Sequence, residues 1–302
     1  MTTPDRRSPT LRLATAACAV AIAIAPSVWF VRALSGIPSQ IVLAAAAPAL
    51  LWAWLVTRID RRHPEPWWAL AGALFAGAVL AASVSHVVNG WLLAWANTIA
   101  GDGGGRPLAG GFGAPVVEEL AKAAALLLLL AAVRHLVDGT LDGIVYGALV
   151  GIGFAFTENV IYLTFAVLQG GSGGLLRAVY VRALLAGGNH AAFTATTGAA
   201  LGWAAGGGDR PGRVVVPVIG LVLAIIQHVV WNAVAASAIT GVLCGPELAG
   251  GPCRPTPTDT SLFVIVPILT AIFIGPGLVT LGAISVLTRD RAARTTAGAT
   301  QK

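Results

Sequence analysis

Two adjacent carboxylates, Glu118 and Glu119, stand at the head of a run of Ala and Leu, with Lys122 four positions after the first. Charge inside a bilayer-spanning segment is costly, so intramembrane ionisable residues are candidates for function by default. Further along the same apolar chain come Glu158-Asn159, then His190, then His228 with Asn232. Three of the five glutamates in the sequence therefore lie in apolar segments, which is hard to explain as snorkelling or structural glue. Glu with His is equipment for activating water. A carboxylate shielded from solvent can serve as a general base. Two imidazoles and a carboxylate (His190, His228, Glu158) could hold Zn²⁺ and leave a position open. In a metal-free alternative, His228 and Asn232 donate hydrogen bonds to an oxyanion while a Glu–His pair deprotonates water. Both schemes end in hydrolysis of an amide within the membrane. The HExxH zinc motif and Walker or dinucleotide signatures are missing.

Helical geometry refines the assignment. Glu118 and Lys122 are spaced i,i+4 and share a face, as do His228 and Asn232. Glu119 is rotated by about 100° from Glu118, so the two glutamates cannot do the same job: one can face a substrate while the other holds a neighbouring helix. Pro115 suits a first helical turn, and the positive helix end beside it would favour a nearby carboxylate. Glu118 is then the expected general base, with Glu119 and Lys122 orienting it. Glu158, His190 and His228 would bind the metal or the scissile carbonyl, and Asn159 is a supporting residue.

The elements that must position these groups are membrane helices. The 302-residue chain is 56% hydrophobic and only 11% charged, with a mean hydropathy of +0.80, against about 25% charged residues in soluble domains. That excludes a large soluble domain, and the net charge of +6 is a topology signal rather than a nucleic-acid one. A span needs about 20 apolar residues, and eight candidates are expected near 11–34, 40–58, 67–96, 114–133, 143–169, 179–205, 214–240 and 261–287. The fold is thus an all-α polytopic bundle with its catalytic core in helices 4–7. A cytoplasmic tail covers 1–10, a single helical domain 11–287, and a basic cytoplasmic tail 288–302. Gly-rich loops are expected at 101–113 and 170–174. Arginines concentrate on the side shared by the two termini, which makes both cytoplasmic; Arg182 falls on the opposite side. Cys244 and Cys253 share an outer loop and could form a disulfide there.

Four stretches together carry a family resemblance: Glu118-Glu119-Leu-Ala-Lys122, Phe154-Ala-Phe-Thr-Glu158-Asn159, Asn189-His190 and His228-Val-Val-Trp-Asn232, preceded by Asp60-Arg-Arg-His-Pro-Glu-Pro-Trp67. In order and spacing the chain resembles the PrsW family of intramembrane proteases, relatives of the CAAX-protease and bacteriocin-processing group. The resemblance implies a multi-pass protein of the cell membrane, bacterial in origin, that cleaves a membrane-protein substrate such as a single-pass anti-sigma factor. It gives Glu118 and Glu119 catalytic roles, and Glu158, His190 and His228 supporting or metal-binding ones. CAAX proteases commonly carry histidine where this chain has Glu158, so His190 would supply the imidazole. A rival reading is an ion- or proton-coupled transporter that uses the same carboxylates as a relay.

Overall fold

The computed structural model describes residues 34–59, 64–101, 103–206, 211–235 and 261–272, with a few isolated positions besides. The first expected span, both tails, the Asp60–His63 part of the Pro-flanked loop and the Cys244/Cys253 pair lie outside the described residues. Among those described, the chain is helical and has no strand. Six principal helices follow one another: α1 (Ser39–Thr57), α2 (Trp67–Ala100), α3 (Ala114–Ala132), α4 (Thr140–Ala178), α5 (Asn189–Ala205) and α6 (Val215–Val230). A short apolar helix covers Phe263–Ile272.

Four helical stretches are long and apolar enough to cross a membrane: Ser39–Thr57, Trp67–Ala100, Thr140–Ala205 and Val215–Val234. The helix α3 is not among them because Glu118, Glu119 and Lys122 interrupt its apolar run. It buries all three and exposes Leu120, Leu127 and Leu128 instead. This inversion, charge inside and leucine outside, is the pattern that a hydrocarbon solvent selects.

The centre of the bundle is α4. The backbone reverses at Gly171 (φ 57°, ψ −145°), and the chain returns through a π-helical turn (Val179–Leu185) and a 3₁₀ turn (Ala186–Gly188) into α5. The reversal falls in the expected Gly-rich loop, since only glycine takes that backbone conformation without strain. Gly143, Gly147 and Gly151 recur every four residues along one face of α4. A Cβ at Gly143 would strike the carbonyl of Gly198, one at Gly147 that of Thr194, and one at Gly151 that of His190. Small residues of this kind let helix backbones approach closely in membranes, and here they lay α5 antiparallel on α4. The opposite face of α4 receives α2, where Gly77 meets the Val150 carbonyl and Gly153 meets that of Leu74. This contact falls on a π-helical turn of α2 at Ala76–Ala81.

One expectation needs correction. The segment 101–113 was expected to be a Gly-rich loop that ends in a fresh helix start at Pro115. Instead, helix begins at Arg106–Leu108 and continues through a π-helical turn at Ala109–Gly113 into α3. Pro115 has no N–H to donate to an α-helical partner, and the wider π turn just before it absorbs that loss. The amides ahead of Glu118 are therefore engaged; the amide of Ala114, for example, donates to the Ala109 carbonyl. The helix-end contribution expected at the glutamates is lost.

Candidate functional site

The polar residues singled out in the sequence converge from four elements of the bundle. On the inner face of α3, Glu119 is 1% and Lys122 0% exposed. The Lys122 ammonium has three N–H groups and three partners: Glu119 Oε1 at 2.5 Å, His190 Nδ1 at 3.1 Å and the face of the Phe154 ring, 4.4 Å to its centroid. Lys122 thus pairs with Glu119 at i,i+3 rather than with Glu118 at i,i+4, because His190 and Phe154 lie on that side. Glu119 also takes His228 Nδ1 at 2.9 Å on Oε1 and the Thr194 hydroxyl at 3.4 Å on Oε2.

These partners fix the two imidazoles. A lysine ammonium only donates, so His190 Nδ1 is the acceptor and its Nε2–H faces Glu158 Oε2 at 2.9 Å. Glu119 only accepts, so His228 carries its proton on Nδ1. Its Nε2 then turns a lone pair toward Glu118 Oε2, 3.7 Å away. Ring packing locks this arrangement: His228 stacks on Phe193 (4.9 Å between centroids) and meets His190 edge-on at 5.0 Å. His190 is held at the start of α5 by the close approach of its backbone to Gly151. The preceding Asn189, with its amide oriented to donate to Ala186 O and accept from Trp231 Nε1 (3.2 Å each), ties α5 to the end of α6.

Of the three clustered glutamates, two have cations. Glu119 has Lys122, and Glu158 has Arg182, whose guanidinium lies 2.8 Å away and stacks 3.5 Å over the Tyr162 ring. Glu118 has neither lysine nor arginine as a partner among the described residues. Its Oε1 accepts from the Asn89 amide at 3.1 Å, and its buried Oε2 has no hydrogen-bond partner among them. Glu118, His190 and His228 each offer one ligating atom, and these atoms lie within 4.8 Å of one another. A carboxylate without a counter-charge, facing an imidazole lone pair, forms a donor set that a divalent cation would complete, and two His with one Glu suit an open zinc position. The residues therefore fit a metal with Glu118 grouped with both histidines, where the sequence pointed to Glu158, which lies 2.9 Å from His190 Nε2. His190 would give up its Nε2 proton to ligate through that atom.

Glu118 and Glu158 open onto a cavity of about 570 Å³ between α2, the Arg106–Gly113 segment and α4. Asn232 also lines it, but its amide donates to the Gly110 carbonyl at 3.1 Å, tying the turn after α6 to that segment. Asn159 is buried. Sequence reasoning missed Asn89, Arg182 and Thr194, all of which touch a clustered carboxylate. Arg182 was taken for a loop charge because nothing in the sequence marks the π turn that carries it inward. Residues 65–272, more than half of the chain, match the profile of a family described as PrsW family intramembrane metalloprotease. Comparison with curated proteins and with solved structures finds no match.

Proposed function

The chain belongs to the PrsW family of intramembrane metalloproteases, and from that premise we propose that Glu118, His190 and His228 form its peptidase centre. The substrate would be a membrane protein of the single-pass, anti-sigma-factor-like kind. The observation that carries this reading is the carboxylate of Glu118: it is buried, has no lysine or arginine partner among the described residues, and lies between two fixed imidazoles and a cavity. A Zn²⁺ held by Glu118, His190 and His228 would polarise the scissile carbonyl and make water a better nucleophile at neutral pH. The protein's own residues do the rest. Glu119 holds His228 by Nδ1–H, as second-shell carboxylates do for ligating histidines. Lys122 neutralises Glu119 and steadies His190. Glu158, at the cavity wall, lies 2.9 Å from His190 Nε2 and would take that nitrogen's proton when a cation binds there. In the metal-free scheme, where Glu118 holds no ion, its Oε2 would instead accept the proton of the reacting water. Asn232 braces the cavity wall, and Asn159 supports α4.

We place the site near one membrane interface within an eight-span arrangement with both termini cytoplasmic, in which α3 spans by burying its charges. Trp67 and Trp68 are exposed at one end of α2, and Trp91 and Trp95 at the other. From Trp67 to Trp91 the axis rises roughly 36 Å at the helical rise per residue, which suits two aromatic belts flanking a bilayer core. Asn89, the partner of Glu118, lies within a turn of Trp91. Nothing among the described residues or in the family match supports the transporter alternative. Co-expression with a tagged single-pass substrate tests the reading: the wild type should shorten the substrate, while Glu118→Gln and His190→Ala should leave it whole. Undiminished cleavage by both variants would sink this site.

A further inference from the structure

The cavity holds two more unpaired polar atoms that the proposed chemistry does not use. Ser85 Oγ and Asn89 Oδ1 are buried, line the cavity, and have no hydrogen-bond partner among the described residues. Ser85 is only 2% exposed. The two residues stand i,i+4 on α2 and share its cavity face. The other end of the Asn89 amide is already committed, because its N–H donates to Glu118 Oε1 at 3.1 Å. The oxygen is thereby left as an acceptor beside the proposed reacting centre. Buried polar atoms of this kind are costly unless something completes them.

We propose that Ser85 and Asn89 form a ledge that binds the backbone of an extended substrate segment next to Glu118, an inference that rests on the peptidase reading above. The spacing fits. One turn of α2 separates the two residues by about 6 Å along the axis, and alternate residues of an extended chain, whose amides face one side, repeat every ~6.6 Å. Asn89 Oδ1 accepts a peptide N–H, and the Ser85 hydroxyl takes the neighbouring backbone group two residues along. Beside the ledge, Ala82, Gly90, Ala109 and Gly110 are small enough for a backbone to come close. Across from it, Phe154, Ile161 and Tyr162 offer an apolar wall for side chains. This is strand-like recognition by main-chain hydrogen bonds, with a helix face serving as the edge, and Asn89 links the bound backbone directly to the orientation of Glu118.

The test is a binding measurement on the full chain in detergent. A fluorescein-labelled short peptide of Leu, Ala and Val is compared, by anisotropy, with the same peptide N-methylated at alternate residues. The wild type should bind the methylated peptide about tenfold more weakly, and the Ser85→Ala/Asn89→Leu variant should bind the two within about twofold of each other. Ser85→Cys and Asn89→Ala, tested singly, should each lose part of the discrimination, which keeps the outcome readable if the double variant misfolds. Equal discrimination in wild type and variants, or none in the wild type, overturns the ledge. Because the measurement reads binding alone, discrimination without cleavage of any substrate keeps the ledge and removes the peptidase, and cleavage without discrimination does the reverse.

Discussion

The two faces of α3 hold adjacent glutamates under opposite conditions. On the sealed face, Glu119 receives an ammonium, an imidazole N–H and a hydroxyl, and Lys122 has a partner for every N–H. On the cavity face, one oxygen of Glu118 is held by Asn89 and the other has no partner among the described residues. Both carboxylates are buried, but among the described residues only Glu119 has a cation partner. The satisfied one holds helices and imidazoles in register. The unsatisfied one is the one left to meet a ligand, an ion or water. Buried charge is weak evidence of stability, and here its incompleteness is the better pointer to chemistry.

The comparison can be strained from its largest consequence downward. Removing metal with a strong chelator should abolish cleavage by the purified protein, and Zn²⁺ should restore it while the helical circular-dichroism signal stays constant. Cleavage untouched by exhaustive chelation, verified by elemental analysis, would move the reaction to the metal-free scheme. On the sealed face, Lys122→Met leaves Glu119 buried without its cation, a kind of loss that costs about 3–5 kcal/mol. A marked drop in thermal midpoint should follow, with partial recovery in Glu119→Gln/Lys122→Met, where no uncompensated charge remains. If the double variant is no more stable than Lys122→Met, Lys122 acts through something other than this pair. At the cavity rim the effect should be smaller. Arg182→Gln removes the partly exposed cation from Glu158, so cleavage should fall by about tenfold, with stability changed by no more than about 1 kcal/mol. Full rescue in Arg182→Lys would show that charge alone matters there, and failure to rescue would implicate the stacked guanidinium.

How much of this was legible in the sequence depended on how costly each residue is in an apolar segment. Glu118, Glu119, Lys122, Glu158, His190 and His228 stand out because charge and imidazole are expensive there, and helical phase alone indicated that the two glutamates diverge. Ser85 and Asn89 are neutral, singly placed and common as glue between helices, so only their position at a cavity distinguishes them. The four-residue spacing of Gly143, Gly147 and Gly151 was not singled out in the sequence, because what it does depends on which helix those glycines meet. Arg106–Gly113 was misread because Gly and Pro favour loops in water, whereas in this bundle a π turn accommodates them. Arg182 was misplaced for the related reason that irregular helical turns leave no period to read.

The most direct test measures cleavage rate and thermal midpoint together for Glu118→Gln and Glu119→Gln in the same detergent preparation. The account predicts a crossed result. Glu118→Gln should lose activity by at least about a hundredfold, the scale of a missing general acid–base group, with its thermal midpoint preserved. Glu119→Gln should lower the midpoint, its loss of activity following from the loosened imidazoles. Equal losses of rate and stability in the two variants would contradict the division of labour between the faces of α3.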